Sequence, residues 1–289
     1  MANRRLLVKR RKAARNIRKI TRTMQLIATA RFQAAFNRAT ASKPYTEKLA
    51  QLVADLAAAA ESVEHPLLRE PEAGAPPAIL LLTSNRGLCG GYNANVIRAT
   101  LDSEAAAAPG NEFHVVGKKG VSYLRFIGRE MAARHTEIGD APRFDEVEPI
   151  ANELMRRFVA GEIGSLHVGY MKFISAGRQR PVVEQILPLA DELEADERAE
   201  GPSTAYEFSP GPQELLADLL PATVRVRIYQ CFTDAVVSEQ VARMVAMKAA
   251  TDAAGDMIKR LTQQYNRARQ TAITMELLDI VGGANALSD

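Results

Sequence analysis

Hydrophobic and polar positions along the chain fall into three textures. From Met1 to Lys43 there is neither Gly nor Pro, and Ile17, Ile20, Met24 and Ile27 step by three, four and three residues. That spacing sets them on one narrow helical face and predicts a coiled-coil seam, with Arg18, Lys19 and Arg22 pointing elsewhere. From Ala222 to Val281 there is again no Pro, and Gly255 is the only Gly. Val237, Val241 and Met244 keep the same rhythm there. After a small-residue zone (Ala249, Ala250, Ala253, Ala254, Gly255) it resumes at Ile258, Leu261, Tyr265 and Ala268. The second stretch alone predicts a helix of roughly 90 Å at 1.5 Å per residue. Such a rod must bury its stripe against another, and an antiparallel pair of the two ends is the economical arrangement. Two places interrupt the pattern. Pro44 predicts a kink or short break before Leu49, Leu52, Val53 and Leu56. Val224, Val226 and Ile228 alternate with Arg225 and Arg227 in a strand-like period, although helix is favoured there with a break near Pro221.

Between the rods the texture is α/β. Ala78 to Thr83, Glu112 to Val116, Leu166 to Ile174 and Pro181 to Leu187 predict strands, and Asn95 to Ala108 and Val147 to Val159 predict helices. The middle therefore reads as a small doubly wound, Rossmann-like sheet. Pro71, Gly74, Pro76 and Pro77 mark its entry; an acidic run, Asp191 to Glu200, with Pro202, Pro210 and Pro212 marks its exit and predicts a solvated loop. The expected fold class is α/β, a long antiparallel coiled coil with a Rossmann-like domain inserted. Its segments are an N-terminal shaft helix over 1–60, the α/β domain over 76–200 and a C-terminal shaft helix over 211–289.

Composition adds little: 289 residues with 47% hydrophobic and 25% charged content are ordinary for a folded chain. No apolar run reaches the roughly 18 residues that span a bilayer, and the basic N-terminus is followed by more basic residues and not by a secretory apolar segment. Cys89 and Cys231 stand far apart, which fits a reducing compartment and argues against a disulfide framework. Charge matters more. Through Thr46 the chain carries thirteen Lys or Arg residues and no acid, which makes the first rod cationic and leaves three readings open, a solvated helix face, an anionic protein partner or a nucleic-acid surface.

Candidate chemistry is sparse. Thr83 to Gly91, TSNRGLCGG, is a Gly-rich turn between a strand and a helix, where α/β folds bind phosphate. It lacks the G-x-G-x-x-G order and the G-K-[ST] frame, as does GKKG at Gly117 to Gly120, and a structural tight turn is the favoured reading. Cys89 has no neighbouring His in sequence, and His65, His114, His135 and His167 show no metal-ligand spacing. No catalytic residue, cofactor or metal site is expected.

Several segments carry a family resemblance. SEQVARMVAMKAATDAAGDMIKRLTQQYNRARQTAITMELLDIVGGANAL, the fifty residues from Ser238 to Leu287, resembles the C-terminal helix of the gamma subunit of the F-type ATP synthase. IRKITRTMQLIATARF from Ile17, SKPYTEKL from Ser42, TSNRGLCGGYN from Thr83, GKKG, YMKF from Tyr170 and ILPL from Ile186 join it in the family's order. The resemblance implies a non-catalytic rotor shaft, a peripheral component on the cytoplasmic face of a bacterial inner membrane that inserts no segment of its own. Its implied partners are the alpha and beta subunits of a catalytic hexamer, an epsilon subunit and the membrane c-ring, with ion flow coupled to change at the beta-subunit sites. It also implies subunit contacts at Arg269 and Gln270, matching a pair that touches a beta-subunit loop. By the same resemblance Met24 and Arg243 match positions near the beta subunit's acidic lever, Thr274 and Glu276 match the same upper contact zone, and Arg86 and Cys89 match contact positions in the Gly-rich loop.

Three departures stand out. The family's loop usually places an acid before its Arg, whereas Asn85 precedes Arg86. Phe32 and Phe36 stand where Met and Lys are common, and Thr223 to Tyr229 is less helical in pattern than the family. With only Cys89 and Cys231, and without the inserted thiol pair of the chloroplast form, the chain resembles an unregulated bacterial type. The alternatives are a basic coiled-coil protein laid along nucleic-acid phosphates, with only Phe32 and Phe36 to stack on bases, and a phosphate-binding enzyme, for which neither base nor nucleophile is evident.

Overall fold

The computed structural model describes residues 4–59, 65–69, 74–189 and 211–286. The acidic run, Pro71, Pro202 and Pro210 lie outside them. Helix α1 is Arg4–Ala59; a 3-10 turn at Pro66–Leu68 leads to strand β1, Pro77–Leu82. There follow α2 (Tyr92–Leu101), α3 (Glu104–Ala107), β2 (Glu112–Val116), α4 (Lys118–Phe126), β3 (Ala133–His135) and α5 (Phe144–Val159). The hairpin β4 (Ser165–Ser175) and β5 (Arg178–Leu187) precedes the last helix, α6, Pro212–Ala286. The described chain forms two compact units, one from Met1–Thr29 with Arg243–Asp289 and the other from Ala30–Ala242, so the division falls inside the two long helices.

The first unit is an antiparallel helix pair. Thr251 donates to the Thr21 hydroxyl at 2.8 Å, Arg18 lies 3.8 Å from where a Cβ on Gly255 would stand, and Arg11 covers the Tyr265 ring at 4.9 Å. One residue number falls as the other rises. The seam on α1 is not the isoleucine stripe: Leu7, Ala14, Thr21 and Ala28 are buried at seven-residue steps, while Ile17, Ile20 and Ile27 are 52%, 58% and 48% exposed. Met24 is half-buried. Three of the four seam residues are small, and a branched Ile between such closely approaching backbones would wedge them apart. On α6 Ile258, Leu261, Tyr265 and Ala268 are half-buried, as expected, but in the small-residue zone only Ala254 is buried, alongside Met247 and Thr251, while Ala249 and Ala253 are exposed.

The second unit centres on a five-stranded sheet of order β3-β2-β1-β4-β5, parallel except for β5. Strand β1 pairs on both sides, with Ile79 level with Phe113 and His167. Its side chains alternate between two cores, as the two-residue strand period requires. Ala78, Leu80 and Leu82 face a layer built from α5 and α6 (Ile150, Leu154, Val224, Ile228, Phe232) that also takes in Val53 and Leu56 of α1. Ile79 and Leu81 face Val96 and Ile97 of α2 and Leu124 of α4. Each fully buried aliphatic chain contributes about 1.5–3 kcal/mol, so this double-sided burial carries the domain. Strand β4 meets α2 so closely that a Cβ on Gly169 would lie 2.1 Å from the Thr100 hydroxyl.

Both prolines expected to interrupt helices sit inside them. Pro44 and Thr40 are exposed, so water reaches the carbonyl that loses its donor. Around Pro221 the helix is held by tertiary packing: Val224 and Ile228, one turn apart, are fully buried while Val226 is only half-buried, which is a helical and not a strand pattern. The helix expected over Asn95 to Ala108 is divided, because Ser103 caps the short α3 by accepting from the Ala106 N–H.

Candidate functional site

The Gly-rich turn after β1 is filled by its own chain. The Lys118 N–H donates to the Asn85 side-chain oxygen at 3.1 Å, the Lys119 N–H to the Ser84 carbonyl at 3.1 Å and the Gly120 N–H to the Thr83 hydroxyl at 2.9 Å. These are the first donors of α4, the ones a phosphate bound at GKKG would need, and they are already taken. Thr83 also explains GKKG. Gly117 has φ +90°, and a Cβ there would lie 2.1 Å from the Thr83 carbonyl oxygen; one on Gly120 would lie 2.7 Å from the Thr83 hydroxyl. The two motifs are halves of one tight junction between β1 and β2. Cys89 is 2% exposed, with Asn93 Nδ2 3.3 Å from its sulfur, so its thiol supports the loop from inside while Arg86 and Leu88 face outward. Among the described residues no group of three or more His, Cys, Asp or Glu is placed to hold a metal ion.

Asn85 does what a carboxylate could not. Its amide donates to the Ile138 carbonyl at 2.7 Å while its oxygen accepts from Lys118. The acid beside Arg86 comes from another loop: Asp140 Oδ2 lies 3.8 Å from the guanidinium. Phe32 and Phe36 form an aromatic cluster with Phe173 of β4, with centroids 5.7–6.3 Å apart. Such contacts add about 0.5–1.5 kcal/mol per pair beyond area burial.

The outward-facing chemistry of the helix pair lies on its flanks and at its end. Arg269, Gln270, Thr274 and Glu276 are all exposed on α6, and the Thr274 hydroxyl donates to the Gln270 carbonyl at 3.1 Å. Arg243, by contrast, is only 6% exposed. Extending the pairing of Arg11 with Tyr265 by two turns sets Arg4 level with Ala272, and every described side chain from Ile273 to Val281 is exposed. That run holds Ile273, Met275, Leu277, Leu278, Ile280 and Val281. Leu6, Ile17, Ile20, Leu26 and Ile27 are bare on α1, interleaved with exposed Arg10, Lys12, Arg15, Arg18, Lys19 and Arg22. An apolar surface of this extent, rimmed by charge, marks a binding face. The sequence reading missed it by assigning the isoleucines to the seam; the seven-residue recurrence of Leu7, Ala14, Thr21 and Ala28 was the available signal.

A half-buried polar cluster lies where α6 crosses the β4–β5 hairpin. Tyr170 and Lys172 donate to the two oxygens of Glu184, both at 2.7 Å, and Gln230 donates to Asp234 at 3.0 Å. Burial works against the Glu184 carboxylate, yet these hydrogen bonds outweigh it and hold its pKa below the ordinary value. Asp234 is pushed up to about 6, chiefly by burial, and burial pushes the Cys231 thiol up to about 12. Cys231 is therefore an inert core thiol.

Residues 3–287 match the family model described as ATP synthase. The chain is 47% identical to the ATP synthase gamma chain of Rhodopirellula baltica, covering 99% of each. It is 39% identical to that of Leptospira biflexa over all of both chains. Among solved structures it resembles the mitochondrial ATP synthase of Euglena gracilis. The rotor matches with TM-score 0.64 at 17% identity over 93% of this chain and 98% of that one. The OSCP/F1/c-ring assembly matches with TM-score 0.69 at 18% identity over 98% and 94%.

Proposed function

The chain belongs to the family of ATP synthase gamma chains, and from that premise we propose that its bare helix-pair surface bears on a catalytic hexamer while its α/β unit engages the membrane ring and an epsilon subunit. A gamma chain is the central-stalk rotor and a non-catalytic subunit. The finer reading is that ion flow through the ring turns the chain, that its turning redistributes conformations among the beta-subunit sites, and that it thereby regulates ATPase activity and ion flow. The complex would sit on the cytoplasmic face of a bacterial inner membrane; no described helix is long and apolar enough to cross one.

The observation that carries this is the exposed run Ile273 to Val281, which projects past the described start of α1, together with the exposed cationic residues along α1. A shaft redistributes states only if its faces bind them unequally. Moving a site from 1:99 to 99:1 takes about 5.5 kcal/mol, and burying one aliphatic side chain yields about 1.5–3 kcal/mol. Two or three face-specific contacts therefore suffice. Arg269, with a planar fork for carboxylates, and Gln270 and Thr274, with donors and acceptors, supply polar catches on the same surface, and Glu276 is its acid. Met24 and Arg86 are accessible for contact, whereas buried Arg243 requires local rearrangement and Cys89 acts through its loop.

Mixing the chain with alpha and beta subunits tests the reading: one copy should enter each hexamer. In that complex Arg269→Ala with Gln270→Ala should lower ATP turnover while the isolated chain keeps its helicity, and unchanged turnover would remove these residues as catches. The nucleic-acid alternative has no support in the fold or the relatives. Binding of duplex DNA that weakens steeply with salt would revive it.

A further inference from the structure

The loop between β3 and α5 touches more of the second unit than its length suggests. The Ile138 carbonyl accepts from the Asn85 amide of the β1–α2 loop at 2.7 Å. Asp140 accepts a hydrogen bond from Arg31 of α1 and lies 3.8 Å from Arg86. The Pro142 carbonyl accepts from the Tyr229 hydroxyl of α6 at 3.4 Å, and the Tyr229 ring meets Phe144, at the start of α5, edge-on at 5.6 Å. Beneath the loop, Ile138, Gly139, Asp140 and Pro142 line a cavity of about 30 Å³ together with Phe232 and Ala235 of α6. Ile138 and Pro142 are buried, Ile138 within the apolar core, so packing seats the loop. Its polar contacts give that seat direction, and they reach both long helices.

We propose that the 138–142 loop is a clasp that fixes both long helices to the α/β body against rolling about their own axes, with Asp140 as its positioning residue on α1. The inference rests on the rotor reading, in which torque must pass between those helices and the sheet. The hydrophobic effect is non-directional, so burial resists rolling only through the fit of side chains, which a directional bond reinforces. A charge-assisted bond made at the end of a long Arg side chain is directional and acts far from the helix axis. Asn85 belongs to the same device: it ties the clasp to the β1–α2 loop, and Asp140 provides the carboxylate beside Arg86.

The test uses the assembled complex carrying Asp140→Ala, Arg31→Gln or Asp140→Glu. Hydrogen exchange over residues 28–35 and 136–143 should quicken about fivefold in the first two, the scale expected for losing a partly exposed ion pair. Ions pumped per ATP hydrolysed should fall, with the hexamer still holding one copy of the chain. Asp140→Glu should restore both. Unaltered exchange, or unaltered pumping per ATP in correctly assembled Asp140→Ala and Arg31→Gln complexes, overturns the clasp. Failure of the unsubstituted chain to enter the hexamer instead overturns the rotor reading beneath it.

Discussion

Asp234 is a carboxyl group held near neutrality by its surroundings. From its own helix it meets Gln230 and Cys231; from β4 come Lys172 and the backbone of Phe173, and from β5 comes Glu184. Its folded pKa of about 6 lies above the ordinary 3.8, so its stabilising contribution is full below the ordinary value and is lost as pH rises through 6. Between roughly pH 7.5 and pH 5 the unsubstituted chain should gain about 1.4 kcal/mol relative to Asp234→Asn in chemical denaturation. Buried His114 and half-buried His167, both with pKa lowered by desolvation, lose stability as pH falls through their ordinary value, which is why the difference between the two proteins is the quantity to follow. A difference that stays constant with pH would contradict the assignment. Gly117 offers a second test: Gly117→Ala meets both an unfavourable φ and the Thr83 carbonyl, and should cost about 3 kcal/mol in thermal unfolding. The motifs TSNRGLCGG and GKKG were legible in the sequence. Their mutual contact was not, because it joins residues more than thirty positions apart.

At the scale of elements, alternation and length carried the reading a long way. Glu112–Val116 emerges with its expected bounds, and the other predicted strands shift by a few residues at their ends. What escaped was α4, whose first turn Lys-Lys-Gly reads as a loop, and the three-residue edge strand β3. The α1 seam escaped for a different reason. Hydropathy favours the isoleucines, but distance between backbones favours Ala14, Thr21 and Ala28, and distance won. The two readings predict opposite outcomes. Ala14→Leu should overpack the seam and cost about 1–3 kcal/mol, whereas Ile20→Ala on the exposed flank should stay within about 0.5 kcal/mol. Thermal melts followed at the helix signal would decide, and a larger loss from Ile20→Ala would restore the isoleucine seam.

For the molecule as a whole, the stretch beyond Ala272 differs in kind from the helix before it. Upstream, α6 has α1 alongside; from Ile273 to Val281 no described part of α1 stands opposite. A lone helical segment this short is marginal in water, so it opens readily unless something covers it. Thermolysin, which cuts at exposed aliphatic residues in opened backbone, should therefore nick the free chain first around Leu277 and Leu278 and spare the paired helices. Inside a hexamer the same bonds should survive. Equal cleavage in both states would mean that nothing closes around the end of α6. Unequal cleavage would turn a protease into a gauge of how deeply the chain is seated.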